Sequence, residues 1–276
     1  MKLQQIELDF IERFTSIVIP ALEKEAEIIS QSYFNQDFES NIKLGSDPRD
    51  HLDVVTRLDN EVEERIYNLL HKYFPSLGFN LEEHKSWQSQ SSEFNCYLDP
   101  VDGTKYFAKQ VPLFSTQVGL SFKGEPVLGL VINPLTKEIY FGSELTPSQR
   151  NGKAIRISET KDLSDAMLNI GIVPYRPNWD KEKDWIFSKL LLLENNAYRI
   201  RKIGSSALIL SWVAQGAMDG ALYLVADPDY DTMAGQALVK YAGGKAQKIS
   251  IPGIEEPRLL CTNNSLFEQI KELLLS

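Results

Sequence analysis

The sequence predicts a mixed fold of the α+β class, and three observations predict it. An apolar stripe opens the chain: Leu22, Ala26, Ile29 and Tyr33 recur at helical spacing, with Glu23, Lys24, Glu25 and Glu27 between them. The middle of the chain reads as consecutive short strands joined by tight turns, an antiparallel meander rather than a βαβ repeat. The last third alternates strands and helices. No internal repeat and no separable linker interrupts the pattern. The chain divides into halves, 1–157 and 158–276, packed as one unit.

Residues 5–34 read as helical, in two pieces because Pro20 lacks an amide and crowds the preceding turn. Residues 35–52 are polar and contain Gly45 and Pro48, the composition of a mobile loop. Lys43 and Arg49 in it either close over an anionic substrate or simply face water. Thr56-Arg57-Leu58-Asp59 opens the next helix, with Val62, Ile66, Leu69 or Leu70, and Tyr73 on its buried side. The T-x-x-D spacing fits a capping box, which accounts for both polar residues without any chemistry. Phe74-Pro75-Ser76 ends that helix. Gly78–Leu81 is a short strand leading to Glu82-Glu83, a pair that suits a solvated sheet edge. Residues 84–95 read as an exposed loop.

Tyr97-Leu98 is a strand that runs into Asp99-Pro100-Val101-Asp102-Gly103-Thr104. Pro100 fixes its own φ and holds Asp99 extended. Gly103 permits a backbone geometry that other residues resist. The expected result is a sharp exit from a strand, with Asp99, Asp102 and the Val101 carbonyl able to face one point. These are hard oxygen ligands, the set Mg²⁺ prefers. The Gly103 and Thr104 amides then lie at a helix start, where N–H groups receive phosphate. An ordinary turn uses the same residue types, but the order D-P-x-D-G-T arises by chance on the order of once in ten thousand chains.

Ser115–Phe122 and Pro126–Ile132 are strands joined at Lys123-Gly124. Asn133–Thr136 turns the chain into Ile139–Phe141, and Asn151-Gly152 turns it again before a strand at Ile155–Ile157. Met167–Val173 reads as a buried strand, Trp179–Leu193 as a helix, and Arg199–Ile203 as the next strand. Gly204-Ser205-Ser206 opens a helix through Gln215, with serine as its default N-cap. After a strand at Ala221–Val225, Asp227-Pro228-Asp229-Tyr230-Asp231 imitates a calcium loop. Thr232 sits where that loop needs Gly and Leu238 where it needs the closing Glu, so the calcium reading fails. A helix then runs to Tyr241-Ala242 and stops at Gly243-Gly244. A last strand at Leu259–Cys261 and a capped helix from Ser265 complete the chain.

The segment D-P-V-D-G-T-K-Y-F resembles the signature of the inositol monophosphatase-like phosphatases. That superfamily is Mg²⁺-dependent and lithium-sensitive, and it includes fructose-bisphosphatases and 3′(2′),5′-bisphosphate nucleotidases. The resemblance continues in order through T-x-x-D, E-E, G-S-S and Y-D-T-M-A-G. Aspartyl-phosphate hydrolases also carry D-x-D-G-T, but there the two carboxylates are two residues apart rather than three. The resemblance implies a layered αβαβα sandwich and a phosphomonoesterase that uses metal-activated water, with no phospho-enzyme. It assigns Glu82, Asp99, the Val101 carbonyl, Asp102 and Asp231 to two Mg²⁺, with a weaker third as an option. Asp59, Thr104 and Glu82 become catalytic. Asp102, Gly103, Thr104, Gly204, Ser205 and Ser206 become substrate-binding. Departures are present: Leu81 stands at a small position, Tyr230 replaces Trp, and Glu144–Pro147 replaces a Gly-rich run. Leu224 stands where inositol-specific members carry an acid, with Asp227 or Asp229 as the candidate substitute. Inositol phosphate, nucleotide 3′-phosphate and sugar bisphosphate all stay open as substrates. A catalytically weak relative that binds metal and a phosphate ester for regulation is the alternative.

Composition narrows the partners. Of 276 residues, 43% are hydrophobic and 24% charged, the balance of a globular protein. A net charge of −9 argues against a nucleic-acid polymer as partner. Cys96 and Cys261 suggest neither a disulfide framework nor a zinc site, and His51, His71 and His84 show no ligand spacing. No stretch approaches ~20 consecutive apolar residues. The expectation is a cytoplasmic protein that avoids membranes. Homodimers are common in the family, although no segment here marks an interface.

Overall fold

The computed structural model describes residues 3–42, 54–84, 93–173, 178–226 and 228–276. Helix α1 (Gln5–Asn35) runs unbroken through Pro20, where the sequence predicts a break. Phe14 and Val18 before the proline and Leu22 and Ala26 after it form one buried stripe. Pro20 forfeits one backbone bond on the exposed side, while the apolar face holds the two segments in line. Strands β1 (Ser40–Ile42) and β2 (Val54–Thr56) pair antiparallel, so part of the segment read as loop is paired. Lys43 and Arg49 lie outside the described residues. Helix α2 (Arg57–Tyr73) buries Val62, Ile66 and Leu70 as its spacing predicts. Tyr73 instead points outward, and Phe74 takes the buried place against Phe10 and Phe14.

The larger sheet is formed by β3 (Gly78–Leu81), β4 (Phe94–Asp102), β5 (Ser115–Phe122), β6 (Glu125–Asn133), β7 (Glu138–Ser143), β8 (Thr146–Arg150) and β9 (Lys153–Ala154), in that order. A short helix α3 (Thr104–Ala108) follows β4. Only β3 and β4 are parallel; the rest is the antiparallel meander expected. Lys123 and Gly124 both take positive φ, 53° and 82°, as a two-residue hairpin turn requires. Ile155–Ile157, read as a strand, follows β9 outside the sheet, and Ile155 and Ile157 pack into the interior instead.

The second sheet has the order β11-β10-β12-β14-β13, from β10 (Met167–Gly171), β11 (Arg199–Arg201), β12 (Gly220–Tyr223), β13 (Lys245–Ile249) and β14 (Arg258–Thr262). Helices α4 (Trp179–Asn196), α5 (Ser206–Ala214), α6 (Asp229–Tyr241) and α7 (Asn264–Leu275) alternate with these strands. The sequence does not reveal β13: Lys-Ala-Gln-Lys-Ile is an exposed edge strand with a polar pattern. The cap of α7 is Asn263, which accepts from the Leu266 amide at 2.9 Å, two residues before the serine expected.

Three apolar clusters set the layers. The first joins α1 and α2 to one face of the larger sheet. The second joins α4 and α7 to the smaller sheet. Between the sheets, α5 and α6 pack against Val131 and Tyr140 on one side and Ala221, Tyr223 and Cys261 on the other. The architecture is therefore the αβαβα sandwich. Cys96 and Cys261 are buried thiols without a disulfide. Among the described residues no helix is long and apolar enough to cross a membrane.

A row of cross-strand glycines places α6. Gly119 on β5 faces Gly129 on β6. A Cβ on Gly129 would fall 2.1 Å from the Ala234 oxygen, and one on Gly119 would fall 2.8 Å from the Ala234 amide. The helix therefore lies directly on the sheet backbone. That close approach pins the first turn of α6, with Asp231 three residues upstream, over the end of β4.

Candidate active site

Alternation along a strand should send Asp99 and Asp102, three residues apart, to opposite faces. The structure avoids this with a bulge: Asp99 pairs with Gln117 and Asp102 with Ser115, so three steps on β4 oppose two on β5. Pro100, which has no amide to give the ladder, lies inside the bulge. Both carboxylates consequently share one face. Gly103 then takes φ 97°, and a Cβ there would fall 2.9 Å from the Leu113 oxygen.

The Asp102 carboxylate receives the start of α5. Its Oδ2 accepts from Ser205 Oγ at 2.6 Å, the Ala207 amide at 2.9 Å and Ser115 Oγ at 3.0 Å, and its Oδ1 accepts from the Ser206 amide at 2.9 Å. Ser205 stands at the N-cap position but does not cap its own helix. Its hydroxyl turns to Asp102, and the distant carboxylate supplies the cap in its place. The favourable end of the helix dipole adds to these bonds. Burial still pushes the Asp102 carboxyl up to about 6, with the serine hydroxyls and helix amides opposing that rise. Gly204 donates its amide to Tyr106 Oη at 3.2 Å, which fastens this turn to α3.

Asp59 and Thr56 form the capping box that their spacing predicts. The Thr56 amide donates to Asp59 Oδ2 at 2.9 Å, and the Thr56 hydroxyl donates to the same oxygen. Asp59 Oδ1 meanwhile lies 3.2 Å from Thr104 Oγ1, which also lies 2.8 Å from the Val101 oxygen. Capping and the Thr104 contact coexist because a carboxylate has two oxygens. Asp59, Thr56 and Thr104 are all buried.

Asp99 is less well supplied with donors than Asp102. It is 2% exposed, and its Oδ1 has no hydrogen-bond partner. Burial raises its pKa well above the ordinary carboxylate range, and the charges of Glu82, Asp102 and Asp231 push it the same way. Glu82 comes from the end of β3, and Asp231 from the first turn of α6. Among the described residues, no three acidic, histidine or cysteine side chains converge as a formed ion site. The donors nevertheless fit a hard divalent cation. They are carboxylates and a carbonyl, they repel one another, and one buried oxygen lacks any donor.

Other expected participants lie elsewhere. Leu224 is fully buried in the apolar cluster beneath the smaller sheet. Asp229 is held by Lys248 Nζ at 2.6 Å. Asp227 lies outside the described residues. Three supporting residues escaped the sequence reading. Ser115 and Gln117 belong to a run of three polar residues, Ser115-Thr116-Gln117, that opens a fully buried strand, and that run is the available signal. Glu63 is one helical turn beyond Asp59 on the buried stripe of α2. Its carboxylate accepts from the Glu83 amide at 3.0 Å and the His84 amide at 2.7 Å, and His84 Nδ1 lies 2.7 Å away. Glu63 thereby holds the segment that carries Glu82.

An αβαβα sandwich with carboxylates gathered at a bulged strand end defines a phosphatase type of centre. The sequence profile of the inositol monophosphatase family matches residues 11–275, and the chain belongs to that family. It is a phosphatase that acts on phosphoric monoesters. The chain is 28% identical over 254 residues to the fructose-1,6-bisphosphatase/inositol-1-monophosphatase of Aquifex aeolicus, covering 91% of this chain and 92% of that one. It is 28% identical over 229 residues to the Nus factor SuhB of Escherichia coli strain K12, covering 83% and 82%. The solved inositol monophosphatase of Anabaena sp. PCC 7120 superposes with a TM-score of 0.78 at 26% identity, covering 96% of each chain.

Proposed function

We propose that this protein is a Mg²⁺-dependent phosphomonoesterase that hydrolyses a small phosphorylated metabolite by direct attack of water. The observation that carries this reading is Asp99, a buried carboxylate with a donorless oxygen among three further carboxylates. Glu82, Asp99, the Val101 carbonyl, Asp102 and Asp231 would hold two Mg²⁺, with a weaker third as an option. The chemistry such cations would supply is neutralisation of the phosphoryl and leaving-group oxygens and a lowered pKa for bound water. The Thr104 hydroxyl, giving its proton to Asp59, takes one from the attacking water and orients it. Thr56 holds the far oxygen of Asp59, so the near one keeps its aim. Gly103 and Thr104 amides face the phosphoryl group, and Gly204, Ser205 and Ser206 line the leaving-group side. Because water is the nucleophile, no covalent intermediate forms.

Leu224 supplies no acceptor for a polyol, since it is buried among apolar side chains. That supports a nucleotide 3′-phosphate or a sugar bisphosphate over inositol phosphate. The test is phosphate release with Mg²⁺, with and without lithium. The substrates are adenosine 3′,5′-bisphosphate, fructose 1,6-bisphosphate and inositol 1-phosphate. Lithium-sensitive turnover of either bisphosphate is expected, and turnover of inositol 1-phosphate alone would overturn the substrate reading. The relatives named Nus factor SuhB favour a second reading, a regulatory protein that binds metal and phosphate ester. Saturable binding without turnover would establish it.

A further inference from the structure

Gln117 lies on β5, fully buried, with its side-chain amide at the acidic cluster. Its Nε2 donates to Asp99 Oδ2 at 3.3 Å and to the main-chain oxygen of Asp231 at 3.0 Å. The main-chain oxygen can only accept, and so does Asp99 as a carboxylate. The nitrogen must therefore occupy this end of the amide, because the reverse orientation would set oxygen against oxygen twice. The other end is Oε1, and no donor reaches it although it is buried. The carboxylate that Gln117 grips has an oxygen in the same condition, Asp99 Oδ1. Leaving such acceptors unmatched is costly, and native interiors rarely do it on both members of one hydrogen-bonded pair. A cation, or water held by one, satisfies both.

We infer that Gln117 is a cation-facing residue of this site. Its Oε1 completes the oxygen set, directly or through one bound water, while its Nε2 fixes Asp99 and the start of α6. A neutral amide suits the position. It adds a hard oxygen without adding a further negative charge to a cluster that already repels itself. The same side chain ties the β4 ligand to the α6 ligand, so two distant segments of chain meet the ion in fixed relation. The inference rests on the divalent-cation site proposed above.

The test is Mn²⁺ binding to the full chain, without substrate, from the electron paramagnetic resonance signal of the free ion. Gln117→Met keeps length and bulk but has no donor and no oxygen, only a soft, weakly accepting sulfur; Gln117→Glu keeps an oxygen and loses the donor. Gln117→Met is expected to weaken the tightest site by ~10-fold and to shrink the Mn²⁺-induced rise in Tm. Gln117→Glu is expected to bind at least as tightly as wild type. A Gln117→Met affinity within twofold of wild type, or equal losses in both variants, would overturn the assignment. Should Gln117→Met fail to fold, Mn²⁺ anomalous scattering from wild-type crystals decides the matter. An ion within ~4.5 Å of Oε1, the reach of one shared water, supports it, and a longer distance refutes it. Wild-type protein that binds Mn²⁺ but hydrolyses no phosphate ester would overturn the proposed mechanism alone. Wild-type protein that binds no Mn²⁺ would overturn both.

Discussion

Stripped of divalent cations, this protein should lose stability as the pH rises from about 4 to 7. Burial pushes the Asp102 carboxyl from the ordinary 3.8 up to about 6. Burial and three neighbouring negative charges push Asp99 in the same direction. A carboxyl whose pKa is raised by folding favours the folded state when protonated. Its contribution is complete below the unfolded value and disappears as the pH climbs through the folded one. At ~1.4 kcal/mol per pH unit, the interval from 3.8 to about 6 amounts to ~3 kcal/mol for Asp102 alone. Asp99 adds a contribution of the same sign. In a chain of this length each kcal/mol moves Tm by ~2–4 °C, so a fall of ~6–12 °C is expected across that window. The assay is thermal unfolding from pH 4 to 7.5, in chelator and in saturating Mg²⁺, so that ordinary surface carboxylates cancel in the difference. Mg²⁺ should restore most of the lost stability at neutral pH. A chelated protein whose Tm stays level, or rises with pH relative to the Mg²⁺ form, would refute the strained carboxylate cluster.

Asp99→Asn should abolish phosphate release while raising the Tm of chelated protein at pH 7.5, because it removes a buried charge pressed by three others; full activity would sink the assignment. Thr104→Ala should lower kcat by ~10²-fold or more, with Thr104→Ser recovering most of the loss in steady-state kinetics. Gly129→Ala drives a methyl group into the Ala234 carbonyl. It should destabilise by ~1–3 kcal/mol in urea unfolding and reduce activity by shifting Asp231. Leu224→Asp should not create a polyol site. It places an unpaired charge in an apolar cluster, so unfolding at lower urea without gain of inositol 1-phosphate turnover is expected.

Local chemistry was readable along the chain wherever it is decided within a few residues. D-P-V-D-G-T announced a sharp strand exit, T-x-x-D announced the capping box, and Lys123-Gly124 announced the hairpin. The spacing of Val62, Ile66 and Leu70 announced the buried face of α2. Family resemblance brought the remaining segments into one centre, which spacing alone does not do. Pro20 and Tyr73 show where local rules yield. A continuous buried stripe outweighs one missing amide, and a helix end turns its last aromatic outward when Phe74 fills the interior.

Only the tertiary structure decided how the carboxylates are used. Asp102 caps a helix that begins 104 residues later, a partnership that no window of sequence contains. Its serine partner gives up its own capping role because α5 enters against β4. Gln117 reaches from one strand to the main chain of Asp231, 114 residues away. Glycines on neighbouring strands let α6 descend onto the sheet, and that descent fixes where Asp231 stands. A short motif can specify its own backbone, because the forces involved act over one or two turns. Which buried oxygen receives which donor depends on elements that meet only after the sheets have packed.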